Sequence, residues 1–340
     1  MIAAPSDVLL VGSIPLSSAE EVFTTVTKAL PRRVHSIPDG ETGDRGNYIG
    51  WQLALFPKET IRYFLGGTDP PANHPGLTQK SIPPTQYDTV ALKSYQTFIE
   101  LRKKNVIPPG VRFQVSLPPP LNCIQGHTRN EFHAQLEPLY EKRLLDSLVN
   151  IIDKIPADDL ALQWDVCFEI MTLEFDRGRL KEPFFQAHFS PVKEGILDRL
   201  ERISANIPTK VPLGFHLCYG DLHHQHFIEP EDMELLIDLA NGIARRLQRP
   251  IGWVHLPVPK NRDDAGYFEP LKNLDIGPNG RLYLGLVHAH DLEGTKRRIQ
   301  VARSVIQCDF GVATECGMGR TSREDVDSIF QILKDVTVPV

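Results

Sequence analysis

Short apolar runs rich in β-branched residues alternate along the chain with longer segments in which apolar positions recur three and four residues apart. Eight such runs stand out, at residues 8–14, 34–38, 112–117, 160–166, 212–218, 252–257, 283–289 and 310–315. Helical patterns follow most of them, at 18–30, 90–104, 131–154, 191–206, 230–247, 292–306 and 322–334. Alternation of strand and helix implies parallel strands, and eight repeats of the unit predict an α/β fold closed into a single (β/α)8 TIM barrel over residues 1–340. Ser17 and Ser18 ahead of Glu20 and Glu21, and Pro230 before Glu231 and Asp232, supply helix starts where the pattern needs them. Residues 56–88, with GGTDPPANHPG and SIPPT, read as an irregular Pro/Gly-rich excursion after the second unit, and 260–279 as a second loop over the same face.

Composition narrows the function classes. With 340 residues, 41% of them hydrophobic and 24% charged, the chain can bury one large core. No stretch approaches the roughly 18 apolar residues of a membrane span. A net charge of −6 with dispersed basic residues offers neither nucleic acid nor an anionic membrane a footprint, so a small-molecule partner is expected. Five cysteines, an odd number in a long chain, fit free thiols in a reducing compartment rather than a disulfide framework. The start MIAAPSDVLLVGS has no basic flank and runs straight into a strand pattern, so no signal or transit peptide is expected and the cytoplasm is the expected location.

In a (β/α)8 barrel the functional groups sit at the C-terminal ends of the strands. The unusual polar residues of this chain fall there: Gly12-Ser13, Asp39-Gly40-Glu41, Gln163-Trp164-Asp165, His216-Leu217-Cys218, His255, His288-Ala289-His290 and Glu315-Cys316-Gly317. His216 and Cys218, two apart on a strand, project from one face and can meet one ion, with donors that suit zinc. An isolated pair of this kind is more often a buried thiol beside a hydrogen-bonded histidine. Cys316, at the end of the last strand, is a third ligand that barrel closure would bring across the mouth. Asp39, Gly40 and Glu41 suit a turn, while Arg45 beyond them carries a fork for a carboxylate or phosphate. The run Asp221-Leu222-His223-His224-Gln225-His226 reads either as a polar loop or as support for the ligands and substrate. Trp164 and Trp253 read as core, and Cys123, Cys167 and Cys308 as packing residues, with Cys167 close to Asp165.

This arrangement resembles the catalytic barrel of cobalamin-independent methionine synthase, within the superfamily that also holds uroporphyrinogen-decarboxylase-like barrels and alkyl transferases acting on thiols. The family's zinc motif, H-x-C and a late Cys-Gly, is matched by His216-Leu217-Cys218 and Cys316-Gly317. Val11-Gly12-Ser13-Ile14-Pro15 resembles I-G-S-F-P, whose backbone takes an amino-acid carboxylate. Asp39-Gly40-Glu41 with Arg45 resembles H-G-E-x-x-R, where the Glu binds the ammonium. Gln163-Trp164-Asp165 resembles Q-I-D-E, whose Asp does similar work, and His290 falls where the family has a proton-delivering histidine.

The resemblance thus implies zinc as cofactor, with metal ligands His216, Cys218, His255 and Cys316. His255 stands in place of the family's Glu, so the set is His2Cys2 or its fourth position is left to water or substrate. It further implies catalytic roles for His290, Asp165 and Glu41, and a substrate site of Gly12, Ser13, Asp39, Arg45 and Glu169. Val166 stands where the family has its second acid, so the paired-carboxylate clamp is incomplete unless Glu169 substitutes. Residues 117–122 stand where the family has its folate-facing Trp, and the folate-contacting N-terminal half has no counterpart, so methionine synthesis itself is not implied. The expected activity is zinc-dependent methyl or alkyl transfer to a thiol, possession of the same metal also fitting a lyase or hydrolase acting on a carboxylate or carbonyl metabolite. A non-catalytic metal-binding barrel is the third reading.

Overall fold

The computed structural model describes residues 4–73, 76–221 and 225–339. Seven strands form one sheet in sequential order: β1 (Ser36–Pro38), β2 (Arg112–Leu117), β3 (Leu160–Val166), β4 (Leu213–Leu217), β5 (Trp253–Pro257), β6 (Arg281–Val287) and β7 (Gly311–Thr314). Every neighbouring pair is parallel. Ten helices accompany them: α1 (Ala19–Ala29), α2 (Tyr87–Lys103), α3 (Pro120–Gln125), α4 (His133–Lys154), α5 (Phe168–Asp176), α6 (Val192–Ser204), α7 (Glu234–Arg246), α8 (Ala265–Phe268), α9 (Leu292–Val305) and α10 (Arg323–Val336). The sheet is curled, because Val8 makes parallel bridges both to Val34, beside β1, and to Val312 in β7. This is an α/β architecture consistent with a TIM-like barrel.

The strands are buried along nearly their whole length, as sheets covered on both faces must be. Most buried apolar side chains belong to one large cluster shared by strands and helices. A separate, smaller cluster of Leu9, Val11, Ala161, Trp253, Tyr283 and Ala313 joins residues from opposite ends of the sheet, which places it inside the curl. Gly214 makes this interior possible: a Cβ there would lie 1.8 Å from the Trp253 ring. Polar atoms inside the curl are paired, as burial demands. The Gln163 amide donates to Val11 O at 2.7 Å and accepts from Trp253 Nε1 at 3.0 Å.

Two differences from the sequence pattern have physical causes. Residues 8–14 form isolated bridges at Val8 and Ser13 rather than a continuous strand. Helices α3 and α5 have no counterpart in the pattern because they are buried all round: the first seven residues of α5 are all covered, so no polar stripe marks a helical period. Between β1 and α2 the described residues include five short 3-10 turns, and Ile61 bridges Thr128. Among the described residues no helix is long and apolar enough to cross a membrane.

Candidate metal centre and the pocket above it

Parallel register puts His216 beside Asp165 on one side and His255 on the other. His216 lies in β4 and Cys218 just past its end, and Cys316 arrives from just beyond β7. Their donor atoms lie within 4.8 Å of one another, with Cys218 Sγ 3.6 Å from Cys316 Sγ and Cys316 Sγ 3.7 Å from His216 Nε2. Among the described residues this is the cluster of metal-ligating groups able to share one ion.

His255 stands behind this group instead of joining it. Its Nε2 is 3.1 Å from Thr314 O, which can only accept, so Nε2 carries the proton. Burial keeps His255 neutral, with its pKa lowered to about 3, so its Nδ1 is an acceptor. That Nδ1 is 2.6 Å from His216 Nδ1, which must therefore donate. Burial and then His255 hold the His216 pKa well below normal. The consequence is a fixed tautomer: the lone pair of His216 Nε2 faces the two thiols, as a metal ligand's would. Two thiols and an oriented neutral imidazole are a donor set that fits zinc.

The remaining sulfur chemistry is held by the backbone. Gly220 N donates to Cys218 Sγ at 3.2 Å from a turn in which Gly220 has φ +88°. Cys167 interacts closely enough with Cys218 to be the largest cause raising its pKa, ahead of burial; Cys218 in turn is the largest cause raising Cys316. The segment after Cys316 packs on Ser13: Met318 N donates to Ser13 O at 2.8 Å and Gly319 N to Ser13 Oγ at 3.0 Å. A Cβ on Gly317 would fall 2.4 Å from Ser13 Oγ. Ser13 therefore anchors the Cys316 loop, and both Gly12 and Ser13 line the pocket.

Two carboxyls face the same pocket. Burial, reinforced by Asp39 and opposed by Arg45 and Arg320, raises Glu41 to about 7. Asp165 is raised well above its usual value by burial and then by Glu41, although Gln163 Nε2 donates to it at 2.8 Å. Asp39 is different: Arg45 grips it at 2.8 and 3.3 Å and Ser94 donates to it at 2.7 Å. Asp39 in turn accepts from Glu41 N at 2.9 Å, so the Asp39–Arg45 pair sets the position of Glu41, whose φ is 48°. Glu169, 1% exposed on α5, makes no hydrogen bond of good geometry through its carboxyl oxygens, and burial raises it to about 8 despite nearby backbone amides.

Glu41, Asp165, His216, Cys218 and Cys316 open onto a cavity of about 410 Å³ whose lining also includes Gly12, Ser13 and Cys167, while Asp39, Arg45 and Glu169 lie outside that lining. Arg320 and Asp221, 3.1 Å apart, stand at its edge. A second recess of about 570 Å³ meets it at Asp221, Cys316 and Gly317. His226 and His288 line that second recess, His226 with Nε2 3.0 Å from Glu315 and Nδ1 3.2 Å from Glu229, and His288 with Nε2 3.0 Å from Val258 O. His290 lines neither. It has φ 56°, its side chain is 68% exposed, and its Nε2 is 2.7 Å from Asp325. Residues Leu222, His223 and His224 lie outside the described residues. Trp164 is buried with its Nε1 donating to Ser204 at 3.1 Å, Cys123 is buried, and Cys308 is exposed.

Sequence reasoning did not reach Arg320, Tyr48 or the aromatic residues of the pocket. Tyr48 and Asn122 both donate to Asp165 O, at 3.2 and 2.5 Å, and fix the end of β3. Arg320 follows Cys316 in Gly317-Met318-Gly319-Arg320, and its place in a strand-end loop was the available signal.

No protein-family model matches the chain, and no curated protein sequence does. Solved structures do match. A putative vitamin-B12-independent methionine synthase from Listeria monocytogenes aligns over 99% of this chain and 97% of its own, with TM-score 0.51 and 13% identity. A B12-independent methionine synthase from Shewanella sp. W3-18-1, solved with selenomethionine, aligns over 69% of this chain with TM-score 0.44 and 16% identity. That second match spans 64% of the Shewanella chain, less than two thirds of its length. At such identities the likeness concerns fold alone, and the fold of this chain is similar to that of the putative B12-independent methionine synthase from Listeria.

Proposed function

We propose that the protein is a zinc-dependent group-transfer enzyme that moves a methyl or alkyl group to a thiol, diverged in substrate from methionine synthase. The observation that carries this reading is the convergence of His216, Cys218 and Cys316 at a pocket that also holds two carboxyls, Glu41 and Asp165, with raised pKa values. His216, Cys218 and Cys316 would hold the ion, and the chemistry it supplies when bound is a positive charge that lowers the pKa of a thiol or water brought to it.

The chain's own residues do the rest. His255, locked by Thr314, keeps the His216 lone pair on the thiols. Glu41 and Asp165 take the cationic or proton-bearing part of the substrate, and Glu41, with its pKa near 7, gives or accepts a proton near neutral pH. His290, placed outside the pocket, is assigned no proton-transfer step. In this reading the segment at Val8 serves as the eighth stave of one barrel domain, the partner is a small molecule, and the protein works in the cytoplasm.

The raised pair Glu41 and Asp165 also suits acid–base cleavage, so a lyase or hydrolase is the second reading. Titrating the zinc-loaded protein with a small thiol separates them. Transfer to sulfur requires saturable binding with release of a proton, measured by calorimetry in two buffers of different ionisation heat. Turnover of a carbonyl or carboxylate substrate with no thiol bound would establish the second reading instead.

A further inference from the structure

One wall of the pocket has no role in the chemistry above. Leu53, Phe64, Leu65, Phe168, Phe184 and Phe227 line the cavity whose lining also includes Cys218 and Cys316. Phe64 is 74% exposed and Leu65 37%, unusual for large apolar residues, yet the turn that carries them is pinned. Arg62 N donates to His127 O at 3.1 Å, and the Arg62 guanidinium donates to Gly126 O at 3.2 Å and to Asn130 at 2.8 Å. Tyr63, the neighbour of Phe64, is held by Arg129 at 2.6 Å and by Asp69 at 2.6 Å. Phe168 and Phe227 pack ring to ring with centroids 5.5 Å apart and present an ordered surface.

We infer that the substrate carries an apolar arm, an alkyl or aryl group of several carbons, that lies along this wall while its reacting group faces Cys218 and Cys316. This rests on the reading of the cavity as the substrate site. Apolar side chains exposed on a convex surface would suit a protein or lipid partner, but these line a concave space continuous with the thiols. A cavity of about 410 Å³ lies in the range of sites for drug-sized ligands, roughly 300–1,000 Å³, and a short polar amino acid would leave the wall in contact with water.

Two homologous series test it on the zinc-loaded full chain: n-alkanethiols from ethanethiol to hexanethiol, and the matching n-alcohols, with binding read by calorimetry. Burial of each added methylene should tighten binding about two- to fourfold in both series. Phe64→Ser with Leu65→Ser, both at exposed positions where folding is not at stake, should flatten that dependence and leave ethanethiol unchanged, and Phe64→Leu should restore most of it. No chain-length dependence in either series, or a dependence untouched by the double substitution, overturns the apolar arm. A steep dependence in which thiols gain nothing over alcohols upholds the arm and counts against the metal-site reading alone.

Discussion

His216 lies within β4 and His290 three residues beyond the end of β6, and the fold treats the two histidines in opposite ways. His216 is 3% exposed, lies between two strands in register with Asp165 and His255, and has both ring nitrogens committed. His290 sits in a turn, mostly in solvent, with Asp325 as its partner. One is held inside the sheet and the other in a turn past it, so position and burial both differ. A histidine is made into a ligand by the neighbouring strands, which strip water from it and fix its tautomer. The carboxyls repeat the contrast, with Asp39 fully paired by Arg45 and Ser94 while Glu169 is buried without such partners.

If burial without a partner is the distinguishing feature, Glu169→Gln should have the largest effect on stability. In the unfolded chain this carboxyl ionises near 4.5 and in the fold near 8. A raised pKa gives a contribution that is full below pH 4.5 and drains away as pH rises to 8. The variant should therefore be more stable than wild type by about 3 kcal/mol at pH 7 and equal to it at pH 4, by urea denaturation at the two pH values. A constant difference across that range would show that packing, not ionisation, governs the site.

His255→Ala tests the tautomer lock. Loss of the partner behind a metal-ligating histidine costs about 10–100-fold in metal affinity, measurable by chelator competition, while Cys218 and Cys316 still retain some zinc. Undiminished affinity would mean that His216 needs no orientation. Glu41 gives a smaller, pH-dependent signature: a primary alkylamine should bind about tenfold more tightly at pH 8 than at pH 6, as a carboxyl titrating near 7 becomes anionic. That gain should vanish in Glu41→Gln. The smallest effect belongs to His290→Ala, expected to leave zinc and thiol binding within twofold of wild type by the same titrations; a large loss would return His290 to the reaction.

The alternation of strands and helices made seven strand positions legible, because fully buried parallel strands are continuous apolar runs. The first segment carries the same apolar pattern, yet it pairs only through isolated bridges at Val8 and Ser13, and nothing in its composition separates it from a full strand. Helix α5 was hidden by its own burial. In the site, spacing alone placed His216 and Cys218 on one face, and the order of strands brought Cys316 to them. The place of His255 behind His216 depends on which nitrogen faces Thr314, and no spacing encodes that. Nor does spacing reveal that Asp39 and Arg45 neutralise each other, since the pairing requires the turn geometry after β1. The apolar wall comes from residues as far apart as Leu53 and Phe227, and their assembly is visible only in the folded chain.

The central claim is that His216, Cys218 and Cys316 hold one zinc ion. Metal content by mass spectrometry on reduced, purified protein tests it most directly, for the wild type and for Cys218→Ser and Cys316→Ser. The account predicts about one zinc per chain in the wild type and its loss from both variants, with circular dichroism unchanged. Reduced wild-type protein that takes up no zinc when it is offered, or variants that keep a full equivalent, would contradict it.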